Sequence, residues 1–343
     1  MIRSNIIIVI SLCFILALPA CKTDAEKKDK TEQTNDTIAQ SKIEQLNKKI
    51  ENQPDNADLY HQRAQYYLNR EQLNKSFRDI NEALERDGNN PDYLLTLSDI
   101  YFSMDQFTKT EQTLNNILIE HPDNIDALIK MAKLFLYKDE HRKAFGFLNR
   151  ALEVDPEDHR VFFISGLTYK DHGELSKAKR DFHRTVEAKQ DFYPAWIQLG
   201  LLAAENNDSN AVYYYRNALD IRPESTEALY NLGYYYQEQE QYDKAIQTYN
   251  QLLDIDPEFE HAYYNIGYIY LTGTGEYEKA EQYFRQARDI NPSNVNAVFN
   301  LGSALEQQGK YEEARKMYKQ TLQMQDNYKL GIEGLNRLDE KQQ

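Results

Sequence analysis

The sequence predicts an all-α solenoid of stacked helix-turn-helix units. Three observations carry that expectation. First, the chain repeats itself: "YNLGYYYQEQEQYDKAIQTYNQLLDIDP" (230–257), "YNIGYIYLTGTGEYEKAEQYFRQARDINP" (264–292) and "FNLGSALEQQGKYEEARKMYKQTL" (299–322) align, and the pattern extends backwards through the chain. Second, apolar residues recur within each unit at the spacing of an amphipathic helix. Third, Gly and Pro number only 13 and 9 in 343 residues, too few for a strand-and-turn architecture.

In chain order, residues 1–20 read as a targeting segment. Arg3 supplies positive charge, and Ile6 to Leu18 is an apolar run broken by Ser11, the length of a signal-peptide core rather than a membrane span. Leu18-Pro19-Ala20-Cys21 resembles the lipobox of bacterial lipoproteins. That resemblance implies lipid attachment at Cys21, with acyl chains such as palmitate; an ordinary cleaved secretory signal is the alternative. Lys22 does not resemble an inner-membrane retention signal, so the cell envelope, at the outer rather than the inner membrane, is the expected location. The only other cysteine is Cys13, so a mature chain starting at Cys21 would have no disulfide or thiolate metal site. Residues 21–40 have one isoleucine and no aromatic residue and read as a disordered, solvated tether spanning roughly 25 Å.

Residues 41–56 hold a capping half-repeat, with Ile43, Leu46 and Ile50 on one helical face ahead of Pro54. Eight units then fill 57–328, opening at Ala57, Pro91, Ile125, His159, Tyr193, Thr226, Glu260 and Val295. The fifth is one residue short near "NNDSNA", and the seventh one long at "TGTGEY". The eighth position is always small, as at Gly166, Gly200, Gly233, Gly267 and Gly302. A helical Gly costs about 1 kcal/mol against Ala, so recurrence points to close approach of a second helix. That helix supplies its own small residue, such as Ala178 or Ala245, and an apolar one four later, such as Phe182 or Tyr249. Residues 329–343 form a final capping helix and tail, in which Leu330, Ile332, Leu335 and Leu338 can cover the last unit.

These features resemble the tetratricopeptide repeat (TPR) family, whose units stack into a right-handed superhelix; the "YLTGTGEYEKA" turn is also similar to a Sel1-type repeat. The resemblance implies that the fifth and ninth positions of each first helix line an inner, concave surface. From the fourth unit to the seventh these are Phe163 and Leu167, Ile197 and Leu201, Tyr230 and Tyr234, Tyr264 and Tyr268, followed by Phe299 in the eighth. A continuous apolar strip is expected there, the kind of patch that usually marks an interaction site; the alternative is that neighbouring helices of a tight superhelix bury part of it. At the sixth position Asn231, Asn265 and Asn300 form a row that, in related proteins, pairs with the backbone of an extended peptide. Tyr236 and Tyr249 hold core positions instead. The basic clamp by which some TPR proteins grip a carboxylate has no counterpart here.

Enzymatic function is not expected. No two of the seven histidines (His61, His121, His141, His159, His172, His183, His261) share metal-ligand spacing on one helix, and no nucleophile motif appears. No metal or cofactor is therefore expected. The formal charge of −15 argues against a nucleic-acid partner, since phosphate binding needs a basic surface. The reading is a membrane-anchored adaptor that holds a protein or peptide partner in a groove. The alternative is a structural subunit of an envelope assembly that binds through its convex face. Partner, pathway and oligomeric state are not written in the sequence.

Overall fold

Eighteen helices, joined by turns, make up the described residues of the computed structural model, which are 42–341. The signal segment, Cys21 and the tether lie outside them. No helix among the described residues is long and apolar enough to cross a membrane.

The chain divides into two compact units at Ile117/Leu118. In the first, α1 (42–52), α2 (Ala57–Leu68), α3 (Leu73–Arg86), α4 (Pro91–Ser103) and the start of α5 (Phe107–Glu120) appear in order. Its core gathers Leu46 and Ile50 of α1 with Leu59, Tyr60, Ile80, Tyr93, Leu97 and Ile100. Arg63, held at 2.6 Å by Asp79 and 2.7 Å by Asn47, ties α1, α2 and α3 together.

The second unit continues as α6 (Ile125–Tyr137), α7 (His141–Val154), α8 (His159–Asp171), α9 (Leu175–Ala188), α10 (Tyr193–Glu205), α11 (Asn210–Ile221), α12 (Thr226–Glu238) and α13 (Tyr242–Ile255). It ends with α14 (Glu260–Tyr268), α15 (Tyr277–Ile290), α16 (Val295–Gln307), α17 (Tyr311–Met324) and α18 (Lys329–Lys341). In the first unit α2 packs on α3 and α3 on α4; in the second, from α6 to α18, each helix packs on the one that follows it.

Helix starts are set by side chains that satisfy otherwise orphaned amides. Asn124, Asp158, Ser225 and Asn294 accept from Ala127, Arg160, Ala228 and Ala297 backbone N–H groups. First helices end where one residue turns left-handed, whether glycine (Gly173, Gly275, Gly309) or not (Glu71, Asp105, Asp139, Asn207, Glu240).

The small eighth position has its reason in the rings above it. A Cβ at Gly166 would lie 2.6 Å from the Phe182 ring, and one at Gly233 would lie 2.7 Å from Tyr249. Both rings are fully buried. The helices of a pair approach closely because the first presents bare backbone to the second's aromatic residue.

The two irregular units are accommodated differently. In the fifth, the missing residue shortens α11 to 12 residues, with Asp208 accepting from the Asn210 amide at its start. In the seventh, the extra residue stays within the helix. Ile269–Thr274 widens into a π-helical turn before Gly275, so the insertion is a bulge rather than a longer loop.

The final helix departs from expectation. Leu338 and Leu335 pack on the last pair, but Leu330 and Ile332 remain exposed. The cover comes instead from Gly334, against which the Tyr318 ring lies, and from Arg337 and Lys341, which donate to the buried Glu306.

Candidate peptide-binding strip

The strip expected to run continuously from the fourth unit to the seventh is interrupted. Ile197 is 2% exposed and lies in the core with Trp196 and Leu199, so it is a packing residue and not a surface one. Phe163, Leu167 and Leu201 are half-buried against the same core. Phe192, the residue before α10, closes over Phe163 with ring centroids 5.1 Å apart. Phe259, before α14, does the same to Tyr230 at 5.5 Å, and Tyr328, before α18, to Phe299 at 5.5 Å.

What the strip presents to solvent is the ninth position of two successive units. Tyr234 is 45% exposed and Tyr268 41%. Each lies over the fifth-position tyrosine of its own helix: Tyr230–Tyr234 and Tyr264–Tyr268 have centroids 6.5 Å apart and rings inclined by 17° and 18°. The helix turn of four residues produces this arrangement, and the repeat reproduces it one unit later.

The asparagine row differs most from expectation. Asn265 and Asn300 are each 8% exposed. The Asn265 amide donates to the Tyr249 hydroxyl at 3.1 Å, and the Asn300 amide to the Tyr264 hydroxyl at 2.9 Å. Asn231, half-buried at the start of the row, donates to the Glu227 carbonyl of its own helix at 2.9 Å. These amide donors are already engaged within the protein. The row joins neighbouring helices rather than offering a ladder of donors to a peptide.

Burial sets the electrostatics. It raises the Tyr230 hydroxyl pKa, against the opposing bond from Asn265. Burial likewise pushes Tyr264 up to about 12, aided by the nearby Tyr328 and Tyr268 hydroxyls. The Tyr234 hydroxyl is raised by burial and by Glu238. These three therefore stay neutral across physiological pH and keep their donors. His261, with its ring 6.3 Å from Tyr230, is bonded to Glu260 at 2.9 Å, which holds the imidazole above its usual range. The surface thus combines flat aromatic faces, phenolic donors and carboxylates. Amphipathic rings of this kind supply large contact area with few rotatable bonds.

Sequence reasoning missed the covering rings. The pairs Phe163–Phe192, Tyr230–Phe259 and Phe299–Tyr328 each span 29 positions, and an aromatic residue just before the next first helix was the available signal.

Known proteins agree with this architecture. One tetratricopeptide repeat model matches residues 209–258 and 230–295, and a second matches 271–330. Anaphase-promoting complex subunit 3 of Schizosaccharomyces pombe is 26% identical over 98 residues, covering 28% of this chain and 15% of its own length. The probable UDP-N-acetylglucosamine–peptide N-acetylglucosaminyltransferase SPINDLY of Hordeum vulgare is 27% identical over 104 residues, 28% of this chain and 11% of its own. The chain thus spans well under a fifth of either relative. The C-terminal part of a TPR repeat-containing protein from Cytophaga hutchinsonii superposes with a TM-score of 0.61 at 15% identity, over 70% of this chain and 99% of that one. This chain carries tetratricopeptide repeats and folds as an all-α solenoid, the architecture of protein-interaction scaffolds.

Proposed function

We propose that the protein is an adaptor that holds a peptide or helix of a partner protein on the tyrosine strip of the sixth and seventh units, while Cys21 anchors it to the cell envelope, at the outer membrane. The carrying observation is the paired exposure of Tyr234 and Tyr268 over half-buried partners. Two large rings at one repeat's spacing would receive two side chains of one bound segment. The lipobox resemblance at Leu18–Cys21 supports the anchor, which would keep the bound partner within a tether's length of the bilayer.

A second reading assigns the chain to an envelope assembly through the face formed by its second helices. Tyr213 of α11, 57% exposed and edge-on to Trp196 at 5.9 Å, favours it. Affinity purification from crosslinked native membranes, with mass spectrometry, separates the two. A Tyr234→Ser/Tyr268→Ser variant is compared with Tyr213→Ser and wild type, and circular dichroism verifies folding. Loss of a specific partner with the double variant alone supports the strip. Loss with Tyr213→Ser alone moves the interface to the second helices. Recovery of that partner only from the soluble fraction would remove the anchor.

A further inference from the structure

We infer that the turns of the third and fourth repeats form a site for a divalent transition-metal ion of the zinc class, with Asp139, His141 and Asp171 as ligands. Asp139 is the left-handed residue that closes α6, His141 opens α7, and Asp171 ends α8. Their Oδ1, Nε2 and Oδ2 atoms all lie within 4.8 Å of one another. His141 Nε2 is 3.5 Å from Asp139 and 2.7 Å from Asp171. His172 lines the same corner, its ring edge-on to His141 with centroids 5.1 Å apart.

The repeat supplies an internal comparison. The residue opening the second helix is Leu73, Phe107, Leu175, Tyr242, Tyr277 or Tyr311 in six other units, and Asn210 in the shortened fifth. Only the third unit has an imidazole there, and its Nε2 faces carboxylates from two different repeats. Departure from a unit's own packing rule is where a local function is expected. Neighbouring charges do not account for the carboxylates. Lys143 pairs with Glu140 at 2.5 Å, Lys177 pairs with Glu174, and His141 is the side chain that Asp139 and Asp171 meet among the described residues.

The donor set selects the ion. Calcium and magnesium take oxygen ligands, whereas zinc-class ions accept imidazole nitrogen together with carboxylate oxygen. With metal–ligand bonds of about 2.1 Å, ligand atoms in a tetrahedron lie about 3.4 Å apart. The Asp139–His141 separation already matches, and the exposed Asp171 side chain reaches it by a small rotation. Two carboxylates balance the dication, and the fourth position falls to water or to His172. Such an ion would staple two neighbouring units, in an array where each repeat is stabilised chiefly by its neighbours.

The test uses the tag-free chain, stripped with chelator and titrated with zinc and with cobalt(II). One ion per chain, cobalt d–d absorption in the visible, and a zinc-dependent rise in Tm of a few degrees are expected. His141→Leu, which restores the residue type of the sister repeats, and Asp171→Asn should both fold and both lose the absorption and the shift. Absence of cobalt absorption in the wild type would overturn the site, as would either variant binding the ion as the wild type does.

Discussion

Asn300 on α16 donates its side-chain amide to the hydroxyl of Tyr264 on α14 at 2.9 Å, joining residues 36 positions apart in sequence. One unit earlier, Asn265 on α14 donates to the hydroxyl of Tyr249 on the adjoining α13 at 3.1 Å. Residues that a peptide-binding reading would place at the surface therefore hold successive helices together. Function and packing share one strip, and each variant reports on one or the other.

Tyr264→Phe removes the acceptor and leaves the mostly buried Asn300 amide without this partner. A loss of about 1–2 kcal/mol in unfolding free energy is expected by denaturant titration. Tyr264→Phe combined with Asn300→Leu should recover much of it, because the pair is then replaced by apolar surface.

Tyr234→Ala and Tyr249→Ala should differ widely although both residues are tyrosines of one unit. Tyr249 is fully buried, so its truncation leaves a cavity and costs about 3–5 kcal/mol. Tyr234 is 45% exposed, and its loss costs about 1 kcal/mol or less, mainly its stacking on Tyr230. Parallel thermal melts would show the contrast, and equal costs would contradict the placement of the two rings.

Gly233→Ala puts a methyl group 2.7 Å from the buried Tyr249 ring, which has no free space to retreat into. Overpacking of this kind costs about 1–3 kcal/mol, opposite in sign to the helix-propensity gain of about 1 kcal/mol. Gly146→Ala, with nothing near its added carbon, should show the gain alone. Comparing the two by chemical denaturation isolates the packing term.

Acid should loosen the junction of the seventh and eighth repeats through Glu281. Burial by itself would raise this carboxyl, but hydrogen bonds from Lys310, Arg285 and Gln308 outweigh burial and hold it at about 2. A depressed folded-state pKa gives stability that is present above the unfolded value near 4.5 and lost as pH falls towards 2. Glu281→Gln should therefore lower Tm at pH 7 and flatten its decline between pH 4.5 and 2. An unchanged slope would mean that other carboxylates carry the acid sensitivity.

How much of this was legible can be read from single positions. The helical period places Tyr236 and Tyr249 inside, and both are buried. The family resemblance places Ile197 and Tyr230 together on the strip, yet one is buried and the other half-covered by Phe259. The covering ring belongs to the turn before the next unit, and helical spacing says nothing about where a turn residue folds. His141 and Asp171 illustrate the same limit. They lie on different helices 30 positions apart, and only stacking brings them to 2.7 Å.

The sequence by itself determined the all-α repeat architecture, where its first helices begin and which of their positions stay small, because these follow from the repeat and from periodicity along a single helix. The tertiary structure alone decided which tyrosines face solvent, that two asparagine amides are spent on tyrosine hydroxyls, and that an imidazole meets two carboxylates. Those facts depend on contacts between units, where distances of a few ångströms separate residues 16 to 36 positions apart.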